Sequence, residues 1–257
     1  MRPALARLTA GLLTASVLGA CAATAGSDAG SDGDTGDRTL TVLAASSLTD
    51  PLTTLARTYE DDHPGVRVRL SFGSSTKLAQ QVAQGAPADL VVLAGTAVLE
   101  QLPETARDPA RRTTVARNVL EIATPPSDPA GVSSLADLAN VEADVVLCVE
   151  TAPCGRAADE VLERAGVMAN VVSREIDVRS TLAKIVLGEA DAAIVYHSDV
   201  VTAGTRVRGV PIPAGANTTL EYPLVRLTDR ADTTGFADLV AGDAGRQALT
   251  DAGFLTP

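Results

Sequence analysis

The chain is predicted to be an α/β protein of two lobes, each a mainly parallel sheet flanked by helices, with a cleft between them. Three observations predict this. Short apolar, strand-like runs alternate with helical patterns from residue 39 onward. Two of the early strand-to-helix turns are rich in serine. A late extended run at 219–227 brings the chain back to its first unit after a second α/β unit has been completed. Alternation of this kind implies right-handed crossovers and parallel strands.

TLTVLA at 39–44 is a first strand. Asp50-Pro51 opens a helix with Leu52, Leu55 and Tyr59 at helical spacing, Pro51 serving as its first residue, and Pro64-Gly65 ends it. From Val66 to Phe72, apolar residues alternate with Arg67, Arg69 and Ser71, the pattern of a half-solvated strand. A helix at 77–84, capped by Ser74 or Ser75, and a third apolar strand, LVVLA at 90–94, complete the first unit. The second unit reads as strands at 118–123, 145–149, 171–176 and 192–196, with helices at 133–138, 155–165 and 181–187 between them. Helices near 236–240 and 245–252 follow the return strand. This places lobe one at 39–117 and 222–257, and lobe two at 118–221.

Residues 1–20 read as a leader. Arg2 and Arg7 precede an apolar stretch, Leu8 to Leu18, that is too short to span a bilayer as a mature helix. It ends in Leu18-Gly19-Ala20-Cys21, which resembles a bacterial lipobox, in which Cys21 would be lipidated. Residues 21–38 then form a tether. After Cys21 they are built almost wholly of Ala, Gly, Ser, Thr and Asp, too little apolar surface to offset the entropy of ordering. Both features predict an extracytoplasmic protein held at the cell membrane by lipid.

The net charge of −11 excludes nucleic acid as a natural partner, because phosphate binding draws on Lys and Arg. It also argues against long-range steering of an anion, so an anion site here must work through short-range dipoles. Cys148 and Cys154 are close enough to pair in an oxidising compartment; two buried free thiols are the alternative. With only His63 and His197 as imidazoles, no cation-binding cluster is expected.

The serine-rich turns carry the chemistry. Each places hydroxyls at a helix start, where backbone N–H groups lack partners and the dipole is positive. Such ends bind anions without formal charge. The turns are Ala44-Ala45-Ser46-Ser47-Leu48 and Phe72-Gly73-Ser74-Ser75. With Gly85-Ala86-Pro87-Ala88-Asp89-Leu90, Pro153-Cys154-Gly155, Asp177-Val178-Arg179 and Ala193-Ile194-Val195-Tyr196-His197-Ser198-Asp199, they follow a known order and spacing. On these motifs the chain resembles the periplasmic molybdate-binding components of ABC importers (the ModA type), a class II two-lobed binding fold, over residues 40–257.

The resemblance implies a tetrahedral dianion held by neutral hydrogen bonds from both lobes. Ser47 and Ser75 would give hydroxyl and backbone donors from lobe one, and plain capping is the alternative for either. Cys154 and Val178 would give backbone N–H groups from lobe two, and Tyr196 its phenol. The ligand would be molybdate, and tungstate with it; the molybdenum enters only as oxyanion, and no cofactor is implied. Sulfate is the alternative ligand, with the same charge and shape. The implied partner is an ABC permease, and the implied state a monomer. Arg179 and Lys77 are expected to be solvated or structural, Glu150 to face solvent, and Tyr222 to lie away from the site. No nucleophile elbow, His-Glu-x-x-His or phosphate loop is present, so no enzyme is expected.

Overall fold

The computed structural model describes residues 38–257; the predicted leader, Cys21 and the tether up to residue 37 lie outside the described residues. The architecture is two-lobed α/β. The hydrogen-bonded strand order is β2-β1-β3-β9-β4-β7-β5-β6, with β8 also paired to β4.

In the first lobe, β1 (Arg38–Ala45) lies parallel to both β2 (Val66–Gly73) and β3 (Leu90–Val92). The period of two in β1 decides its packing. Leu40, Val42 and Ala44 face one core with Leu52, Leu55 and Tyr59 of α1 (Thr49–Asp62). Leu43 faces the other, with Leu78, Ala79 and Val82 of α2 (Ser75–Ala83). A sheet covered on both faces needs apolar residues in succession, which is why β3 and the second half of β1, Val42 to Ala45, read as unbroken runs. A 3₁₀ turn at Ser46–Leu48 precedes α1, so Pro51 is its third residue rather than its first.

The long strand β4 (Arg112–Thr124) passes from one sheet to the other. Residues 112–119 pair antiparallel with β9 (Thr219–Arg226), whose far edge pairs with β3. Residues 120–123 pair with β7 (Ala192–Tyr196), and 121–124 with β8 (Arg208–Pro211). Two adjacent antiparallel strands therefore join the lobes.

In the second lobe, β5 (Val145–Cys148) lies parallel to β6 (Val171–Glu175) and β7. Around them pack α3 (Pro153–Ala165), α4 (Val178–Val186) and α5 (His197–Ala203). Finally α6 (Ala231–Ala241) and α7 (Asp243–Asp251) return to the first lobe and pack on α1.

Candidate functional site

The carboxyl ends of β1, β2, β5 and β7 meet across the cleft, where α/β folds place their ligands. A small cavity lies there, lined by Ala45, Ser46 and Ser47 after β1, Gly73, Ser74 and Ser75 after β2, and Ala94 after β3. The second lobe adds Pro153, Cys154, Asp177, Val178 and Tyr196. It holds about 10 Å³ for the centre of a water-sized sphere. That is about the space of one bound water, so the cavity is nearly closed and leaves no room for an organic solute. All five residues expected to contact the ligand are brought together here.

Local geometry shows which groups can donate. Ser75 is the first residue of α2, and its Oγ accepts from the Ala94 N–H at 2.8 Å. One of its two acceptor sites is engaged, and its proton is free to donate. Ser74, the N-cap, makes no side-chain cap bond. Of the two serines expected to cap this helix, Ser74 holds the N-cap position without a side-chain bond, and Ser75 is engaged by Ala94 instead. Ser47 lies 3.0 Å from the Tyr222 hydroxyl. Burial raises the pKa of Tyr222, so its phenol stays protonated and can donate to Ser47, leaving the Ser47 proton for a ligand.

From the second lobe, α3 and α4 aim their N-termini at the same space. Pro153 opens α3 and has no N–H, so Cys154 carries the first available one. Gly155 follows because a Cβ there would sit 2.1 Å from the Val149 carbonyl oxygen. A disulfide, 2.14 Å between sulfurs, ties Cys154 to Cys148 at the end of β5. At α4, the Asp177 carboxylate caps Ser180 N–H at 2.9 Å, which occupies the one acidic side chain that lines the cavity. Val178 N–H, in the first turn, is left over.

Tyr196 closes the cavity at the end of β7. It is 2% exposed, and its Oη has no hydrogen-bond partner among the described residues. A buried hydroxyl without a partner costs about 1–3 kcal/mol, so its persistence here marks a place where something else must supply an acceptor. Burial holds its pKa well above the ordinary phenol value, so it is a donor. No Lys, Arg or His lines the cavity. The arrangement is thus a set of neutral donors converging on one small space, suited to an acceptor-only anion.

Arg179 and Glu150 behave as structural charges. Arg179 bonds Asp50 of α1 at 2.9 Å, and Glu150 is 76% exposed in its side chain, 3.9 Å from Arg174. Lys77 lies in a neighbouring open groove with Gln80 and Ile176.

Three residues escaped the sequence reading. Tyr222 belongs at the site, against the expectation that it lies elsewhere, because β9 carries it to Ser47 and edge-on to Tyr196, 6.2 Å between ring centres. Asn118 is fully buried at the lobe crossing, with Nδ2 donating to Ser198 Oγ at 2.7 Å. Asp199, three residues after Tyr196, is 1% exposed; its Oδ2 accepts the Tyr196 N–H at 3.1 Å, and its Oδ1 has no partner among the described residues. Burial is the main reason that its pKa is pushed up to about 7, with Asp177 and Asp50 adding to it and the Tyr196 N–H and Arg179 opposing it. A polar residue inside a strand-like apolar run was the available signal for Asn118; Asp199 lies in the polar run His197-Ser198-Asp199, which gives no such signal.

Comparison with known proteins agrees with this architecture. The model of the bacterial extracellular solute-binding protein family matches residues 40–255. The molybdate-binding protein ModA of Mycobacterium tuberculosis is 33% identical over 225 residues, 86% of each chain. That of Haemophilus influenzae is 32% identical over 228 residues, covering 84% of this chain and 89% of its own. Among solved structures, the periplasmic molybdate-binding protein of Azotobacter vinelandii superposes with a TM-score of 0.75 at 21% identity, over 85% of this chain and 99% of that one. The sulfate-binding protein SubI of M. tuberculosis superposes with 0.71 at 18% identity, over 84% and 86%. These two share the fold. By the family match and by its identity to the ModA proteins, the chain belongs to the bacterial extracellular solute-binding proteins.

Proposed function

We propose that this protein captures molybdate outside the cytoplasm and delivers it to the permease of an ABC importer, with tungstate as a second ligand. The observation that carries the reading is the buried Tyr196 hydroxyl, without a partner among the described residues, on a cavity whose other groups are neutral apart from Asp177, which is engaged as a helix cap. Molybdate ionises fully at neutral pH and has four acceptor oxygens and no proton. Donors without acceptors therefore suit it, and low local dielectric strengthens each bond. In this reading Ser47, Ser75 and Tyr196 donate through hydroxyls, and Cys154 and Val178 through backbone N–H groups. Identity above 30% to two ModA proteins supports molybdate over sulfate; the sulfate-binding relative shares the fold at 18%.

The same reading assigns lobe one to 39–117 and 222–257 and lobe two to 118–221, closing about β4 and β9. The protein works as a monomer, lipidated at Cys21 and tethered to the membrane, with its acidic surface toward the permease. Calorimetric titration with molybdate, tungstate, sulfate and phosphate in separate runs tests it. One-to-one binding of the first two alone is expected. Binding of sulfate with silent molybdate would keep the oxyanion site and replace the ligand.

A further inference from the structure

Asp199 is a buried acid with no role in the donor set just described. It sits in the first turn of α5, 1% exposed, directly behind Tyr196, whose backbone N–H it holds at 3.1 Å through Oδ2. Its other oxygen, Oδ1, meets no donor among the described residues. An ionised carboxylate oxygen buried without a donor costs far more than the same oxygen carrying a proton.

The groups around it do little to hold the charge. From α4 come Arg179 and Asp177; Arg179 is already engaged by Asp50 of α1, and Asp177 is acidic. From β9 comes the neutral phenol of Tyr222, and from β7 that of Tyr196. On its own helix His197 turns to Glu121 of β4, 2.5 Å away. Asp199 therefore faces an arriving dianion from behind Tyr196, off the cavity wall, and among the described residues that wall carries the Asp177 carboxylate and no cation to screen them.

We propose that Asp199 takes up a proton when the oxyanion binds, so that a dianion and one proton enter the closed protein together. The proton comes from solvent and goes to Oδ1. No other bond changes. This rests on the oxyanion reading above and adds to it a residue that links affinity to pH. Two negative charges arriving beside Asp199 disfavour its ionised form further, so the pKa in the complex lies above that of the free protein. Binding is then most favourable about a unit or more below pH 7, where Asp199 is already largely protonated in the free protein. It weakens as pH rises from there, because the proton must be taken from solvent.

The test is calorimetry of the purified protein with sodium molybdate at pH 6 and pH 8, each in several buffers of different ionisation enthalpy. At pH 8 the wild type should take up about 0.5–1 proton per anion, and at pH 6 close to none, with affinity about tenfold weaker at pH 8. Asp199→Asn keeps an acceptor for the Tyr196 N–H and should bind with no proton uptake and a flat pH profile. His197→Gln should keep the uptake and decides the matter should the Asn variant fold poorly. Binding without proton uptake by the wild type at pH 8, undiminished uptake in Asp199→Asn, or loss of it in His197→Gln would each overturn the proposal while leaving the oxyanion site standing. No binding of molybdate, tungstate or sulfate at either pH would remove the site and this inference together.

Discussion

Arg179 at the start of α4 and Asp50 at the start of α1 form an ion pair of 2.9 Å that bridges the two lobes beside the cavity. Both side chains are partly exposed, so the pair is worth about 0.2–1 kcal/mol and is screened by salt. Its place matters more than its strength, since opening the lobes must break it. Arg179→Met should therefore raise the molybdate Kd by about two- to fivefold at low salt, with the gap to wild type closing at high salt. Titrations at two ionic strengths check this.

Tyr196→Phe separates binding from folding. The hydroxyl has no partner among the described residues, so its removal should leave thermal stability of the ligand-free protein unchanged or slightly higher. Molybdate affinity should fall by roughly 10- to 100-fold, the loss of one hydrogen bond to a charged ligand. A melting curve and a titration on the same sample check both halves.

The Cys148–Cys154 disulfide closes a short loop and fixes the Cys154 N–H at the cavity. The double variant Cys148→Ser, Cys154→Ser should lose about 2 kcal/mol of stability, as a loop of this length predicts. It should also bind molybdate more weakly, because the donor is no longer held in place. Denaturant unfolding and titration of the variant measure the two effects. Unchanged affinity would show that α3 positions the donor without the bridge.

Asp199 also shapes stability without ligand. Its pKa is about 7 in the folded protein, against an ordinary 3.8. An acid whose folded-state value is raised destabilises the fold when it must ionise, so its penalty is absent below about pH 4, grows toward pH 7 and is constant above. The full shift corresponds to about 4 kcal/mol as an upper figure. Asp199→Asn should therefore unfold at higher denaturant than wild type at pH 8, with the advantage shrinking as pH falls from 7 to 4.

Much of this was legible in the sequence where burial alone sets the pattern. The run Ala192–Tyr196 is uniformly apolar and is a strand buried throughout. The features that escaped depend on contacts between distant residues. Whether the Ser75 hydroxyl caps its helix or serves a ligand turns on Ala94, nineteen residues away. Tyr222 reaches Ser47 across 175 residues, which only the antiparallel pairing of β9 with β3 and β4 explains. The first half of β4, RTTVAR, is too polar to read as a strand, and becomes one through pairing with β9. Helix α5 is seven residues long and opens with His-Ser-Asp, too short and polar for a helical period to show.

The central claim is that one tetrahedral oxyanion sits in the cavity between the lobes, held by neutral donors from both. A crystal structure of the protein grown with tungstate tests it most directly, because tungsten scatters anomalously. One strong anomalous peak is expected, with the oxygens of the ion within hydrogen-bond distance of the Ser47, Ser75 and Tyr196 hydroxyls and the Cys154 and Val178 amides. A peak placed elsewhere, or a cavity holding only water at saturating tungstate, would contradict it.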